Sequence, residues 1–178
     1  MLFEELVQQR QSDRKYDESR EVEEDKLMKC IEAARLSPSA NNAQPWKFVA
    51  VCDPELRSQV GRAAADMGMN KFCITAPLIV ALVLEKQGLM STVGSVLKNK
   101  EYRLIDVGIA ATHFCLQATA LGLGTCMVGW FDEKKVKKLL GIPRSKRIPL
   151  LITVGYPDNP QHDKKRKALN EMFSRDKY

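Results

Sequence analysis

Apolar residues recur along this chain with two different periods, and each change of period marks an element. Leu2, Phe3, Leu6 and Val7 share one stripe of a short helix over residues 2–10. Residues 11–21 are polar and read as loop. Val22, Leu27, Ile31 and Ala34 return to helical spacing, which predicts a helix from Glu23 to Leu36. Glu23, Glu24 and Asp25 suit the positive end of its dipole, and Pro38 stops it. Ser39 to Pro45 forms a polar loop, and Trp46 to Cys52 a strand. Asp53-Pro54 opens another helix, with Asp as N-cap and Pro in the first turn, carrying Leu56, Val60, Ala63, Ala64 and Met67. Leu78 to Leu84 is a continuous β-prone run, expected to be buried on both faces.

Residues 85–100 lose the pattern and are expected to form a mobile loop with a little helix. Leu104 to Leu121 gives the strongest helix, apolar nearly all round, which requires burial in a core or against another subunit. Gly122 ends it. Thr125 to Val128 reads as a short strand. Asp132 caps a helix through Leu140, closed by Gly141 and Pro143, and Leu150 to Val154 is a last strand. From Pro157 onward the chain is polar and basic. Neither an internal repeat nor a low-complexity linker occurs, and at 178 residues the expectation is one domain over 1–178.

Composition narrows the class. Hydrophobic residues at 44% and charged residues at 28% suit a globular protein rather than a disordered one. The apolar run Pro77 to Leu84 is far shorter than the roughly 20 residues that span a bilayer. The opening MLFEELVQQR carries acids early and lacks a long apolar core, unlike a secretory signal, so a cytoplasmic location is expected. The net charge of +6 invites an anionic partner. Two basic groups stand out, Arg10 to Arg14 and Lys164 to Lys167, at opposite ends of the chain. A nucleic-acid module would interleave basic and aromatic residues on one surface, which 7% aromatic content does not favour.

The candidate chemistry is limited. Cys30, Cys52, Cys73, Cys115 and Cys126 are scattered, form no CxxC, and read as buried, inert thiols. Only two histidines occur, which excludes a His-rich metal centre; no metal ligands are assigned. Gly122-Leu123-Gly124 closes a helix rather than opening one, so it is a cap and not a dinucleotide loop. Arg10-x-Ser12-x-Arg14 offers guanidinium and hydroxyl donors suited to a phosphate, and equally suits solvated surface. Ser39 to Trp46 packs amides, a hydroxyl and an indole into one loop. Those amides can meet the donor and acceptor edge of a heteroaromatic ring, or merely satisfy a turn.

Pro38-Ser39-Ala40-Asn41-Asn42-Ala43-Gln44-Pro45-Trp46, preceded by the Arg10/Ser12/Arg14 triplet, resembles the FMN-dependent nitroreductase family. The resemblance runs in order through Asp106 and its helix, Gly122-Leu123-Gly124-Thr125, Gly129, and Arg166 to Leu169. It implies an α+β homodimer around a mostly antiparallel central sheet flanked by helices, with FMN sites in the interface. It puts Arg10 and Ser12 at the FMN phosphate and Arg14 against the N1/O2 edge, where a cation favours negative charge. Pro38, Ser39 and Asn42 match the segment reaching the flavin from the partner subunit. Gly129 matches a turn whose backbone faces N5. Lys164 and Arg166 match a late basic pair on the phosphate, and Asn70 and Lys71 resemble an Asn/Lys pair that touches the flavin. Residues 85–100 are shorter than the helical insert that walls the pocket of longer members.

The function implied is hydride transfer from NAD(P)H to FMN, then electron transfer to a small oxidised acceptor such as a nitroaromatic or quinone, with ping-pong kinetics. The flavin carries the redox chemistry, so no side chain is assigned as acid or base. A family-like protein with a specialised role, flavin storage or one dedicated dehydrogenation, is the alternative within the same fold.

Overall fold

A computed structural model describes residues 1–65, 68–85 and 101–178. Among these residues five α-helices and four strands follow in the order α1 (Phe3–Gln9), α2 (Glu24–Arg35), β1 (Trp46–Val51), α3 (Pro54–Ala64), β2 (Leu78–Leu84), α4 (Tyr102–Ala120), β3 (Gly124–Val128), α5 (Glu133–Leu139) and β4 (Arg147–Gly155). The sheet order is β1-β2-β4-β3, and every pair is antiparallel. This is the expected α+β architecture.

β2 lies at the heart of the sheet because its sequence allows nothing else. All seven residues are buried, and it pairs with β1 on one side and β4 on the other. Each fully buried Leu, Ile or Val there contributes about 1.5–3 kcal/mol. Alternate β2 residues feed two cores. Leu78, Val80, Leu82 and Leu84 pack with Leu27, Cys30 and Ala34 of α2 and with Phe114 and its neighbours on α4. Ile79, Ala81 and Val83 pack with Val60, Ala63 and Ala64 of α3 and Val136 of α5. The result is three layers: α2 and α4, the sheet, then α3 and α5.

The helix ends follow local chemistry. Asp53 caps α3 by accepting a hydrogen bond from the Leu56 amide at 2.7 Å, with Pro54 at the first position. Asp132 caps α5 through the Lys135 amide at 2.9 Å.

Several expectations change. β4 runs nine residues rather than five, because Arg147 and Ile148 are recruited by the Glu133 carboxylate. The apolar stripe of α1 is not buried within the chain: Leu2 and Phe3 are about 70% exposed. α4 buries one face through Val107, Ala110, Ala111, Phe114 and Ala118, while Leu104 and Ile105 remain exposed. Cys52 is exposed just past the end of β1, whereas the other four cysteines are buried as expected. The 39–45 loop contains a turn of 3-10 helix at Ala40–Asn42. Met67 and the loop expected after Glu85 lie outside the described residues.

Candidate functional site

The first basic group is held on the free edge of the sheet. After α1, Ser12 forms a parallel bridge with Thr125 of β3, and the Asp13 amide donates to the Thr125 carbonyl at 2.9 Å. Farther on, Tyr16 bridges Pro157. The Tyr16 hydroxyl donates to the Asp13 carbonyl at 2.7 Å and lies 2.7 Å from the Thr153 hydroxyl. This arm fixes Arg10, Ser12 and Arg14 at one margin of the molecule. Burial pushes the Cys126 thiol up, and the nearby Arg14 charge and Ser12 hydroxyl act in the opposite direction.

The second basic group returns to the same place. Lys164 donates to the Val7 carbonyl at 2.6 Å, Gln161 to the Gln8 carbonyl at 3.1 Å, and the His162 amide to Gln11 Oε1 at 2.9 Å. Contacts separated by about 150 residues thus lay the C-terminal segment along the N-terminal arm. Arg10, Ser12, Arg14, Lys164 and Arg166 line one open cleft of about 370 Å³. Partial desolvation, then repulsion from Arg10 and Arg166, holds the Lys164 ammonium below the ordinary lysine range. Clustering like charges raises their energy, and an anion bound among them removes that cost. A phosphate dianion needs several donors converging on its oxygens, and two guanidinium forks, an ammonium and a hydroxyl supply them.

Asn70 and Lys71 adjoin this arrangement. Asn70 donates from Nδ2 to the Trp130 carbonyl at 2.9 Å, which ties it to the turn after β3 that contains Gly129. Lys71 begins the 3-10 turn Lys71–Cys73 and is exposed. Phe72 in that turn lies beneath the Arg14 guanidinium, 6.0 Å from the ring centroid. Arg14, Asn70, Lys71 and Gly129 therefore belong to one neighbourhood.

Pro38, Ser39 and Asn42 lie elsewhere. Their loop sits on α4, where the Ala40 amide donates to the buried Asp106 carboxylate at 3.1 Å. The Ser39 hydroxyl accepts from the Gln44 amide at 3.0 Å, and the Gln44 side chain donates to the Asn42 oxygens at 3.1 Å. The loop belongs to the α2/α4 layer, whereas Phe72 and Cys126 belong to the opposite one. Among the described residues, no hydrogen bond joins it to the basic cleft of its own chain.

Backbone strain falls on these segments. Asn41, Asn42, Gln44 and Asn70 all have φ between 45° and 53°. Non-glycine residues adopt this region rarely, and such strain persists where the surroundings impose it. The residues that the sequence reading passed over are Asp13, Gln11 and Asn159, which join the two chain ends, and Phe72 under Arg14. Asp13 looks like an ordinary surface acid between two arginines. A local signal exists only at Gly124, where a Cβ would lie 2.7 Å from Asp13 Oδ2.

Comparison with known proteins gives the same answer from another direction. The Nitroreductase family model matches residues 7–71 and 62–156. An oxygen-insensitive NADPH nitroreductase of Helicobacter acinonychis is 28% identical over 95% of this chain and 94% of its own. A nitroreductase family protein of Clostridium novyi is 31% identical, with a TM-score of 0.77 over 92% of this chain and 89% of its own. Another from Streptococcus pneumoniae superposes with a TM-score of 0.84 at 26% identity, over 97% of this chain and 99% of its own. With a family model matched from residue 7 to 156 and relatives aligned along most of its length, the chain belongs to the nitroreductase family, enzymes that use FMN with NAD(P)H as electron donor.

Proposed function

We propose that this protein takes hydride from NAD(P)H onto FMN and passes the electrons to a small oxidised acceptor, a nitroaromatic or a quinone, in a ping-pong cycle. The observation that carries the reading is the meeting of Arg10, Ser12, Arg14, Lys164 and Arg166 in one cleft beside the Asn70–Trp130 junction. When bound, FMN supplies the two-electron carrier between donor and acceptor. The chain's own residues bind and orient it. Arg10, Ser12, Lys164 and Arg166 hold the phosphate. Arg14, kept in place over Phe72, sets positive charge against the N1/O2 edge. Asn70 and Lys71, with the backbone at Gly129, lie along the remaining edge of the ring.

Two copies complete each site, with Pro38, Ser39 and Asn42 of one chain reaching the flavin held by the other. Support comes from the placement of that loop on α4, held through Asp106, with no hydrogen bond among the described residues to the basic cleft of its own chain. The exposed apolar residues Leu104 and Ile105 of α4, with Phe173 near the C-terminus, give a second copy something to cover. No helix among the described residues is long and apolar enough to cross a membrane.

The test is a pair of anaerobic half-reactions. NADH or NADPH should bleach the flavin absorbance of the purified protein, and a quinone or nitroaromatic added afterwards should restore it. Steady-state double-reciprocal plots should give parallel lines. Intersecting lines, or a purified protein that binds no flavin, would refute the reading.

A further inference from the structure

Asp13 is 5% exposed, and its carboxylate is satisfied by neutral amides. Oδ1 accepts from Gln11 Nε2 at 2.9 Å and from Asn159 Nδ2 at 3.0 Å. Gln11 belongs to the arm and Asn159 to the C-terminal segment, so this one oxygen bridges the two ends of the chain. The main chain of Asp13 is fixed independently, through Thr125 on one side and the Tyr16 hydroxyl on the other. Its neighbours Ser12 and Arg14 both line the basic cleft, yet among the described residues Asp13 forms no ion pair within 4.0 Å. Gly124 leaves room for it, since a Cβ there would fall 2.7–2.9 Å from the Asp13 side chain.

We propose that Asp13 is a positioning residue that holds the two halves of the phosphate cleft in register. One half is the arm carrying Arg10 and Ser12, and the other is the tail carrying Lys164 and Arg166. This rests on the reading of that cleft as the FMN phosphate site. A buried carboxylate accepting from amides fixes two backbone segments without consuming the guanidinium donors that the phosphate needs. One shared acceptor oxygen between two segments suits an anchor for a tail with little core of its own. Without it, the Asn159 amide keeps only the carbonyl of Pro160, its own neighbour in sequence, at 3.2 Å. The tail then rests on the bonds of Gln11 to Pro160, Gln161 to Gln8, His162 to Gln11 and Lys164 to Val7, and the registration of its cations with Arg10 loosens.

The geometry makes a prediction that a general loss of stability does not. Apo-protein is titrated with FMN and with riboflavin, which lacks the phosphate, in wild type, Asp13→Ala, Asp13→Asn and Arg10→Ala. Asp13→Ala should weaken FMN binding by about tenfold and leave riboflavin nearly unchanged. Asp13→Asn keeps an oxygen for the same two amide donors and should retain most of the FMN affinity. Asn159→Ala removes one side of the bridge while leaving Asp13 in place, and should show the same phosphate-selective loss in smaller degree.

Equal losses for FMN and riboflavin, or none, would overturn the proposal. An Asp13→Asn variant as weak as Asp13→Ala would also overturn it, because charge and not bridging would then be what matters. If Arg10→Ala shows a phosphate-selective loss and Asp13→Ala does not, the cleft stands and the positioning role falls. If Arg10→Ala shows none, the cleft itself is misassigned and both fall.

Discussion

Replacing Gly61 by alanine tests how packing in one core sets the geometry of the site. Gly61 is buried in α3, and a Cβ built there would lie 2.8 Å from Ile74 Cα and 2.9 Å from the Cys73 carbonyl carbon, closer still to the Cys73 oxygen. Ordinary contacts begin near 3.4 Å, so the 71–74 backbone would have to retreat by roughly 0.5–1 Å. Those neighbours are main-chain atoms and cannot rotate aside. Overpacking costs about 1–3 kcal/mol, and alanine returns about 1 kcal/mol of helix propensity. Because the clash is with backbone, the upper half of that range applies, and the net loss is about 1–2 kcal/mol. At about 2–4 °C per kcal/mol for a chain of this size, Tm should fall by roughly 2–8 °C. The same retreat moves Asn70, whose 2.9 Å bond to Trp130 does not survive a shift of that size. Thermal melts of apo-protein read the first effect, and FMN titrations, weakened several-fold, read the second. Gly61→Ser should be worse on both counts. An alanine variant as stable as wild type would refute the reasoning, since helix propensity would then have outweighed the clash.

Burial raises the thiols of Cys30 and Cys73 to about 12 and that of Cys115 to about 11, and Cys126 and Cys52 are raised as well, but of the five Cys52 alone is exposed. A disulfide thiol reagent at mild alkaline pH should therefore titrate one cysteine, the exposed Cys52, in the native protein and all five after unfolding; a second fast native thiol would contradict the burial. Lys164 loses its proton below the ordinary value of 10.5, and the phosphate prefers the protonated form. FMN affinity should thus be full below that lowered pKa and decline as pH rises through it, while Lys164→Arg, titrated by fluorescence beside wild type, should show no decline. Arg14→Gln should lower the midpoint potential of bound FMN by tens of millivolts, since about 30 mV corresponds to about 1.4 kcal/mol for two electrons. Spectroelectrochemistry reads this directly, and an unchanged potential would remove Arg14 from the ring edge.

Much of the fold was legible because it depends on neighbours in sequence. The unbroken run Leu78–Leu84 can only be a fully buried strand, and Asp53-Pro54 announces its helix by capping chemistry alone. β4 was read short because its first residues are held by Glu133 of α5, a partner that no local pattern reveals. Cys52 was misread for a related reason: an apolar neighbour such as Val51 does not bury a residue once the strand has ended. The site divides along the same line. Arg10 and Ser12 could be singled out by residue type, but nothing in their spacing joins them to Lys164. That link came from resemblance, and the hydrogen bonds between residues 7–13 and 159–164 give it a physical basis. Asp13 escaped notice because its partners, one of them 146 residues away, are what distinguish it from any surface acid.

The joining of the two chain ends also has a consequence for biosynthesis. Arg10 is made long before Lys164 and Arg166, which follow it by more than 150 residues. At about 5–20 residues per second, the arm waits on the order of ten seconds for the segment that completes its cleft. All four strands, which end at Gly155, are made before Lys164 and Arg166, so a growing chain holds the whole sheet before it can close the anion-binding clamp.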